Sequence, residues 1–162
     1  MIRAIFLDVD GTLISFSTHE IPASALRALA QAHERGVRLF IATGRAANDL
    51  GPLEGIPYDG VVSLNGARCV ANDGRVVSLH PIPRADFERA LALSEEQDFA
   101  MGLELEEGVF VNRVTPDVKR VAHMVAHPVP EQTDLRELFG RVECCQLCFY
   151  FDAETQRRVM AE

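Results

Sequence analysis

The chain has 162 residues, 48% of them hydrophobic, which is enough for one packed domain or one and a half small ones. Its 16 basic and 24 acidic residues give a net charge of −8, which argues against a general affinity for nucleic acid but leaves room for a small anionic substrate. No export signal precedes the first apolar run, and no run approaches the roughly 20 residues that cross a bilayer, so we expect a soluble, cytoplasmic protein without a membrane partner.

Three apolar runs in the first half predict buried strands of one parallel sheet: residues 2–8, 37–44 and 60–66. After the first strand we expect a loop and then a helix that begins at Pro22 and ends at Gly36. After the second strand, the sequence predicts a short helix that starts near Arg45. This alternation is typical of an open, doubly wound (Rossmann-like) α/β sheet.

Polar residues stand at or just before the carboxyl end of each predicted strand. They are Asp8, Thr43 and Asn65. Because ligands of open α/β sheets bind beyond the carboxyl ends of the strands, we expect these three residues to converge on one crevice.

The second half of the sequence follows a different pattern. Residues 67–80 predict a hairpin that turns at Asn72-Asp73-Gly74, and Pro81 and Pro83 mark a boundary after it. Further elements follow: a helix at 84–97, a hairpin at 99–113, a helix at 116–126, a linker at 127–130, a helix at 134–139, a strand at 144–151 and a final helix at 152–162. We therefore predict a core at 1–81, which includes the hairpin, and an inserted α+β module at 82–162.

Three cysteines near the end of the chain include a C-x-x-C spacing. If residues 144–151 form a strand, Cys144 and Cys148 point to one face and Cys145 to the other. That geometry disfavours a dithiol or a zinc site, and no second C-x-x-C or histidine pair completes a tetrahedral set. We expect buried strand cysteines instead.

Two aspartates one residue apart, at the end of a buried strand, suit phosphoryl transfer. Asp8 or Asp10 can attack phosphorus, while the other donates a proton to the leaving oxygen and later accepts one from water. Two carboxylates would repel a phosphate beside them, so we expect a bound cation, and hard oxygen ligands favour Mg²⁺. Gly11 allows a sharp turn whose amides contact phosphate, Thr43 offers a hydroxyl, and Arg45 can pair with phosphate or an anionic leaving group.

Simpler interpretations of these residues remain open. The two aspartates could form turns or cap a helix, although turn chemistry does not explain the buried strand before them. A calcium loop would need a third oxygen ligand before the glycine and a later glutamate. Thr43 could simply end its strand, Asn65-Gly66 is also an ordinary turn dipeptide, and His19 is most simply an exposed loop residue.

Three segments together resemble the haloacid dehalogenase superfamily of phosphatases: "DVDGTL" at 8–13, "ATGR" at 42–45 and "LNGA" at 64–67. Their order and the place of the inserted module are most similar to its Cof-type sugar-phosphate phosphatase branch. The resemblance implies a partial Rossmann-like core with an inserted α+β cap domain. It also implies a Mg²⁺-dependent hydrolase that acts on a small phosphorylated metabolite.

The resemblance assigns a role to each matching residue. Asp8 would be the nucleophile, and Asp10 the general acid/base. The Asp8 carboxylate and the Asp10 backbone carbonyl would bind Mg²⁺. The phosphoryl group would lie against the Gly11 turn and Thr43-Gly44. Substrate would meet Arg45, Asn65 and Gly66 at the mouth of the site, and the loop at 13–21 would be a flap over it.

Two expected features of the superfamily are missing from the sequence. A lysine should neutralise the phosphate, and a later G-D-x-x-N-D motif should complete the metal shell. The only lysine is Lys119, in a predicted helix of the inserted module, and the acidic motif does not occur. We therefore expect the chain to be the first part of such a protein. The sequence names no substrate or oligomeric state. A phosphomutase of the same superfamily and a non-catalytic binding module remain alternatives.

Overall fold

The computed structural model describes residues 2–15, 17–18, 20–53, 55–125 and 127–161. It divides the chain into two compact units, Met1–His80 and Pro81–Glu162. Among the described residues, no helix has both the length and the apolar character needed to cross a bilayer.

The first unit is built on a five-stranded sheet in the order β1-β2-β3-β4-β5. The strands are β1 (Ala4–Leu7), β2 (Arg38–Ala42), β3 (Gly60–Ser63), β4 (Arg68–Ala71) and β5 (Val76–Leu79), and helix α1 (Ala23–Glu34) connects β1 to β2. Strands β1, β2 and β3 are parallel, and the predicted hairpin β4–β5 joins them antiparallel. The α/β class expected from the sequence is confirmed.

The core of the first unit contains Val9, Leu29, Leu39, Ile41 and Val61, all buried. Strand β1, however, alternates between exposed and half-buried residues, and Phe6 is 62% exposed. Phe6 stacks on Phe40 with ring centroids 4.9 Å apart. The prediction that the first strand is buried on both faces is therefore wrong for the described part of the chain.

Among the described residues between β2 and β3, none forms an α-helix. Residues 45–50 form turns and bends, and a single 3₁₀ turn covers Gly51–Leu53. The Asp49 carbonyl accepts a hydrogen bond from the Arg45 side chain, at 3.1 Å. Gly51 and the proline after it disfavour helix continuation. The short helix predicted near Arg45 is therefore wrong as an α-helix.

The second unit contains a four-stranded sheet in the order β8-β7-β6-β9. Its elements are α2 (Arg84–Glu96), β6 (Ala100–Leu105), β7 (Gly108–Val111), α3 (Pro116–Met124), β8 (Glu131–Gln132), α4 (Leu135–Phe139), β9 (Gln146–Tyr150) and α5 (Ala153–Val159). Strand β6 pairs antiparallel with β7 and β9, and β7 pairs parallel with β8. The helices, the hairpin and the last strand match their predicted positions, whereas the two-residue β8 is not foreseen.

The cysteines of the second unit lie differently from their predicted arrangement. Cys144 is buried in the cluster that contains Phe87 and Phe139, whereas Cys148 packs with Val111 and Val118 in another cluster. The placement of Cys144 and Cys148 on one face is therefore wrong. Strand β9 begins only at Gln146, so the alternation of side chains does not extend back to Cys144.

Candidate active site

The chain turns sharply after β1, around one buried valine. Val9 is 0% exposed, while Asp8 and Asp10 on either side of it are exposed. The Val9 carbonyl accepts from the backbone amides of Leu13 at 3.0 Å and Ile14 at 2.9 Å. An apolar side chain and a backbone carbonyl thus hold the turn, which leaves the two carboxylates outside the core.

Gly11 makes this turn possible. Its φ of +79° lies in the left-handed region that favours glycine, and its amide donates to the Ile14 carbonyl at 2.9 Å. Leu13 and Ile14 are buried in the core of the first unit. The start of the predicted flap at 13–21 is therefore anchored, and His19 lies outside the described residues.

Thr12 orients the first carboxylate. Its hydroxyl donates to Asp8 Oδ2 at 2.8 Å, which leaves Oδ1 as the other oxygen of that carboxylate. The sequence did not indicate a role for Thr12, although Thr12 is the threonine of the "DVDGTL" segment at 8–13. A hydrogen-bonded partner four residues away reduces the rotational freedom of an exposed aspartate.

Arg45 and Asp10 form a two-point ion pair. Arg45 Nε donates to Asp10 Oδ2 at 2.9 Å, and Nη2 donates to Oδ1 at 2.8 Å. Arg45 Nη1 donates to the Asp49 carbonyl at 3.1 Å and lies 3.5 Å from Asp49 Oδ2. Parallel hydrogen bonds between guanidinium and carboxylate are among the stronger polar contacts in proteins.

The pair changes the acidity of Asp10. Hydrogen bonding from Arg45 holds the pKa of the Asp10 carboxyl below its ordinary value, and the positive charge acts in the same direction. Partial burial opposes the shift but is the smaller effect. In this arrangement Asp10 is ionised across the neutral pH range.

Thr43 lies directly after β2 and is buried. Its amide donates to the Val62 carbonyl at 2.9 Å, and its hydroxyl accepts from the Arg45 amide at 3.1 Å. The Thr43 carbonyl accepts from the Asn65 amide at 3.1 Å. Backbone contacts therefore link the loop after β2 to the loop after β3.

The loop after β3 is left-handed over three consecutive residues. Leu64, Asn65 and Gly66 have φ values of +49°, +54° and +96°. The Leu64 amide donates to the Arg45 carbonyl at 3.1 Å. Positive φ at a buried leucine is uncommon, and such strain concentrates at functional sites. The sequence indicated a turn at Asn65-Gly66 but gave no signal for Leu64.

Gly44 is in close contact with this loop. A Cβ atom at Gly44 would lie 3.1 Å from Asn65 Oδ1 and 3.3 Å from Asn65 Nδ2. Such distances are tighter than ordinary van der Waals contacts. The structure thus brings Gly44 together with Asn65, and Asp10 together with Arg45.

The family resemblance calls for a lysine and an acidic motif in addition to the two aspartates. Lys119, the only lysine of the sequence, lies in α3 of the second unit. Within the described ranges, no group of three or more His, Cys, Asp or Glu side chains is arranged to hold a metal ion.

The fold and these motifs belong to a recognised class. Residues 5–162 match the family model of the haloacid dehalogenase-like hydrolases. The chain therefore belongs to that family.

Its relatives include characterised phosphatases. The chain is 53% identical to BT1666, a phosphatase of the haloalkanoate superfamily from Bacteroides thetaiotaomicron, with a TM-score of 0.92 over 99% of this chain and 60% of that one. It is 29% identical to the subclass IIB sugar phosphatase BT4131, with a TM-score of 0.82 over 98% of this chain and 62% of that one. It is also 28% identical, over 125 residues, to an HMP-PP phosphatase from Shigella flexneri.

The match covers only part of each relative. The chain spans about 60% of the length of the two solved phosphatases. The alignment with the HMP-PP phosphatase covers 75% of this chain and 45% of that protein.

Proposed function

We propose that this protein is a Mg²⁺-dependent phosphatase of small phosphorylated metabolites such as sugar phosphates. The observation that carries the proposal is the turn after β1, where buried Val9 separates two exposed aspartates. A carboxylate on either side of a buried residue at the end of a parallel strand suits phosphoryl transfer to one carboxylate with proton transfer by the other. Similarity to a sugar phosphatase and to an HMP-PP phosphatase supports the substrate class.

Asp8 is the proposed nucleophile. An oxygen of Asp8 bonds to phosphorus as the bond from phosphorus to the leaving oxygen breaks, and the leaving oxygen takes a proton. Thr12 supports this role because it holds Oδ2 and so orients the carboxylate without blocking Oδ1. The product of this step is an aspartyl-phosphate and a free alcohol.

Asp10 is the proposed general acid and base. It protonates the leaving oxygen in the first step and accepts a proton from water in the second, when water releases phosphate from Asp8. The ionised state that Arg45 favours suits the second of these tasks directly. For the first task Asp10 has to carry a proton, which binding of an anionic substrate beside it would favour.

The donors at this turn fit Mg²⁺ in part. The Asp8 carboxylate and the Asp10 backbone carbonyl offer hard oxygen ligands, and Mg²⁺ commonly binds through one or two carboxylates together with substrate phosphate and water. A bound Mg²⁺ would neutralise charge on the transferring phosphoryl group. Two protein ligands do not make a complete shell, which agrees with the absence of a larger acidic cluster in the described part of the chain.

The remaining predicted residues would bind the phosphoryl group and the substrate. Thr43 is proposed to contact the phosphoryl group together with the amides around Gly11 and Gly44. Asn65 and Gly66, in the strained loop after β3, are proposed to lie beside the substrate. The second unit, Pro81–Glu162, is proposed to be the cap domain of the family.

The test is phosphate release by the full-length protein, expressed from its own gene, with Mg²⁺ and a panel of sugar phosphates. Asp8→Asn should lower turnover by about 10³-fold or more, and acid quenching should trap a phosphoenzyme only in the wild type. Asp73→Asn is the matched control, because Asp73 lies in the exposed turn of the β4–β5 hairpin.

The outcomes separate the alternatives. Full activity in Asp8→Asn would exclude Asp8 as nucleophile. Conversion of a hexose phosphate to its isomer without free phosphate would identify a phosphomutase. Binding of phosphorylated ligands without turnover in the wild type would support a non-catalytic module.

A further inference from the structure

One edge of the Arg45 guanidinium is fully used by Asp10. Nε and Nη2 each donate to a different oxygen of that carboxylate, at 2.9 and 2.8 Å. The third nitrogen, Nη1, donates to the Asp49 carbonyl. A phosphoryl group could take two parallel hydrogen bonds from the same edge only after Asp10 had left it.

Arg45 is the fixed member of this pair. Its amide donates to the Thr43 hydroxyl and its carbonyl accepts from the Leu64 amide, both at 3.1 Å. Its side chain is 23% exposed, against 44% for Asp10. An exposed aspartate in a turn has several rotamers, and holding it in one of them has an entropic cost that a rigid partner reduces.

We propose that Arg45 is a positioning residue that orients the Asp10 carboxylate, and that it does not bind the transferring phosphoryl group. The inference rests on the proposed function, because it assumes that Asp10 transfers protons. Proton transfer needs the carboxylate within a few tenths of an ångström of the productive position, which two parallel hydrogen bonds can define. It also means that Arg45 does not replace the missing lysine.

Leaving groups distinguish this role from phosphate binding. p-Nitrophenyl phosphate releases the stable p-nitrophenolate anion, which needs no proton as it leaves phosphorus. The sugar oxygen of glucose 6-phosphate, by contrast, needs a proton as it leaves. Loss of a residue that orients Asp10 should therefore lower kcat/KM selectively for the sugar phosphate, because kcat/KM reports the first step and not the hydrolysis of the phosphoenzyme that both substrates share. Loss of a phosphoryl-binding residue should slow both substrates equally and raise KM for both.

The experiment measures kcat and KM of the full-length protein on both substrates. Arg45→Met removes the guanidinium, and Arg45→Lys keeps the charge without the two-point geometry. Asp10→Asn provides the reference for lost proton transfer. Arg38→Met is the matched control, since Arg38 lies at the opposite, amino end of β2 and pairs with Asp59.

We expect both Arg45 variants to lose about 100-fold in kcat/KM on glucose 6-phosphate and only a few-fold in kcat/KM on p-nitrophenyl phosphate, as for Asp10→Asn. Equal losses of kcat/KM on both substrates, or full activity in Arg45→Lys, would overturn the positioning role of Arg45 and leave the proposed function standing. A wild-type protein that hydrolyses neither substrate would overturn the proposed function, and the positioning role with it.

A second measurement does not depend on turnover. The ¹⁵N NMR signal of Arg45 Nε–H should be protected from exchange in the wild type and lost in Asp10→Asn. Addition of inorganic phosphate should shift the Thr43 amide but leave the Arg45 Nε signal in place. Displacement of that signal by phosphate would show that Arg45 leaves Asp10 for the anion, which contradicts the proposal.

Discussion

Replacement of Val9 by alanine tests how the two aspartates are held outside the core. Val9 is completely buried between Asp8 and Asp10 and belongs to the main cluster of the first unit. The substitution leaves the backbone hydrogen bonds to the Val9 carbonyl possible, because they do not involve the side chain. The effect therefore reports packing beneath the catalytic turn.

The magnitude follows from the carbon atoms removed. Val9→Ala deletes two buried carbons, each worth about 0.8 kcal/mol of transfer free energy. The cavity left behind adds to this loss where the neighbours do not close in. We expect the free energy of unfolding of the first unit to fall by about 2 kcal/mol.

Tyrosine fluorescence can follow that unit alone. The sequence has no tryptophan and two tyrosines, Tyr58 and Tyr150. Tyr58 packs against the core of the first unit, and Tyr150 belongs to the second. In a Tyr150→Phe background, urea denaturation monitored by Tyr58 gives the unfolding free energy with and without Val9→Ala.

Val77→Ala is the control, because it is the same substitution at a strand position of the first unit that is 59% exposed. It should change the free energy of unfolding by less than about 0.5 kcal/mol. A loss below about 0.5 kcal/mol for Val9→Ala as well would refute the argument that Val9 anchors the turn.

Three further predictions concern acidity, a close contact and a thiol. The neighbouring guanidinium lowers the pKa of Asp10, so the contribution of the Asp10–Arg45 pair to stability is present above the ordinary aspartate pKa of about 3.9 and is lost as pH falls through the lowered value. Asp10→Asn lacks this contribution. Below about pH 4 its unfolding free energy should therefore fall less than that of the wild type, by a difference under about 1 kcal/mol for this partly exposed pair. Gly44→Ala should displace the Asn65 amide and slow phosphate release several-fold, whereas Gly51→Ala, with open space at its Cβ position, should not. Burial raises the pKa of the Cys148 thiol to about 12, so iodoacetamide at pH 8 should modify it only in urea, as mass spectrometry can show.

Local patterns in the sequence predicted most of the fold. The apolar runs located β1, β2 and β3, and Asn72-Asp73-Gly74 located the turn of the β4–β5 hairpin, where Gly74 has a φ of +82°. These signals depend on neighbouring residues only. By contrast, the two residues of β8 are too few to carry a periodicity, and Gly51-Pro52 disfavours the continuation of a helix from Arg45.

The contacts within the candidate site depend on tertiary structure. Arg45 and Asp10 are 35 positions apart, and their pairing requires both the left-handed Gly11 turn and the loop after β2. The sequence therefore suggested Arg45 as a ligand for phosphate, not as a partner of Asp10. The positive φ of Leu64 could not be foreseen either, because leucine itself disfavours that conformation.

Strand β1 has a consequence for handling the protein. It lies at the end of the first sheet, and among the described residues no strand pairs with its outer edge. Phe6 within this strand is 62% exposed, and Ile2 just before it is 70% exposed. An unpaired edge with apolar side chains is a template for intermolecular strand pairing. When this 162-residue chain is produced by itself, its refolding yield should therefore decrease with concentration, and Phe6→Lys should restore the yield by making such association unfavourable.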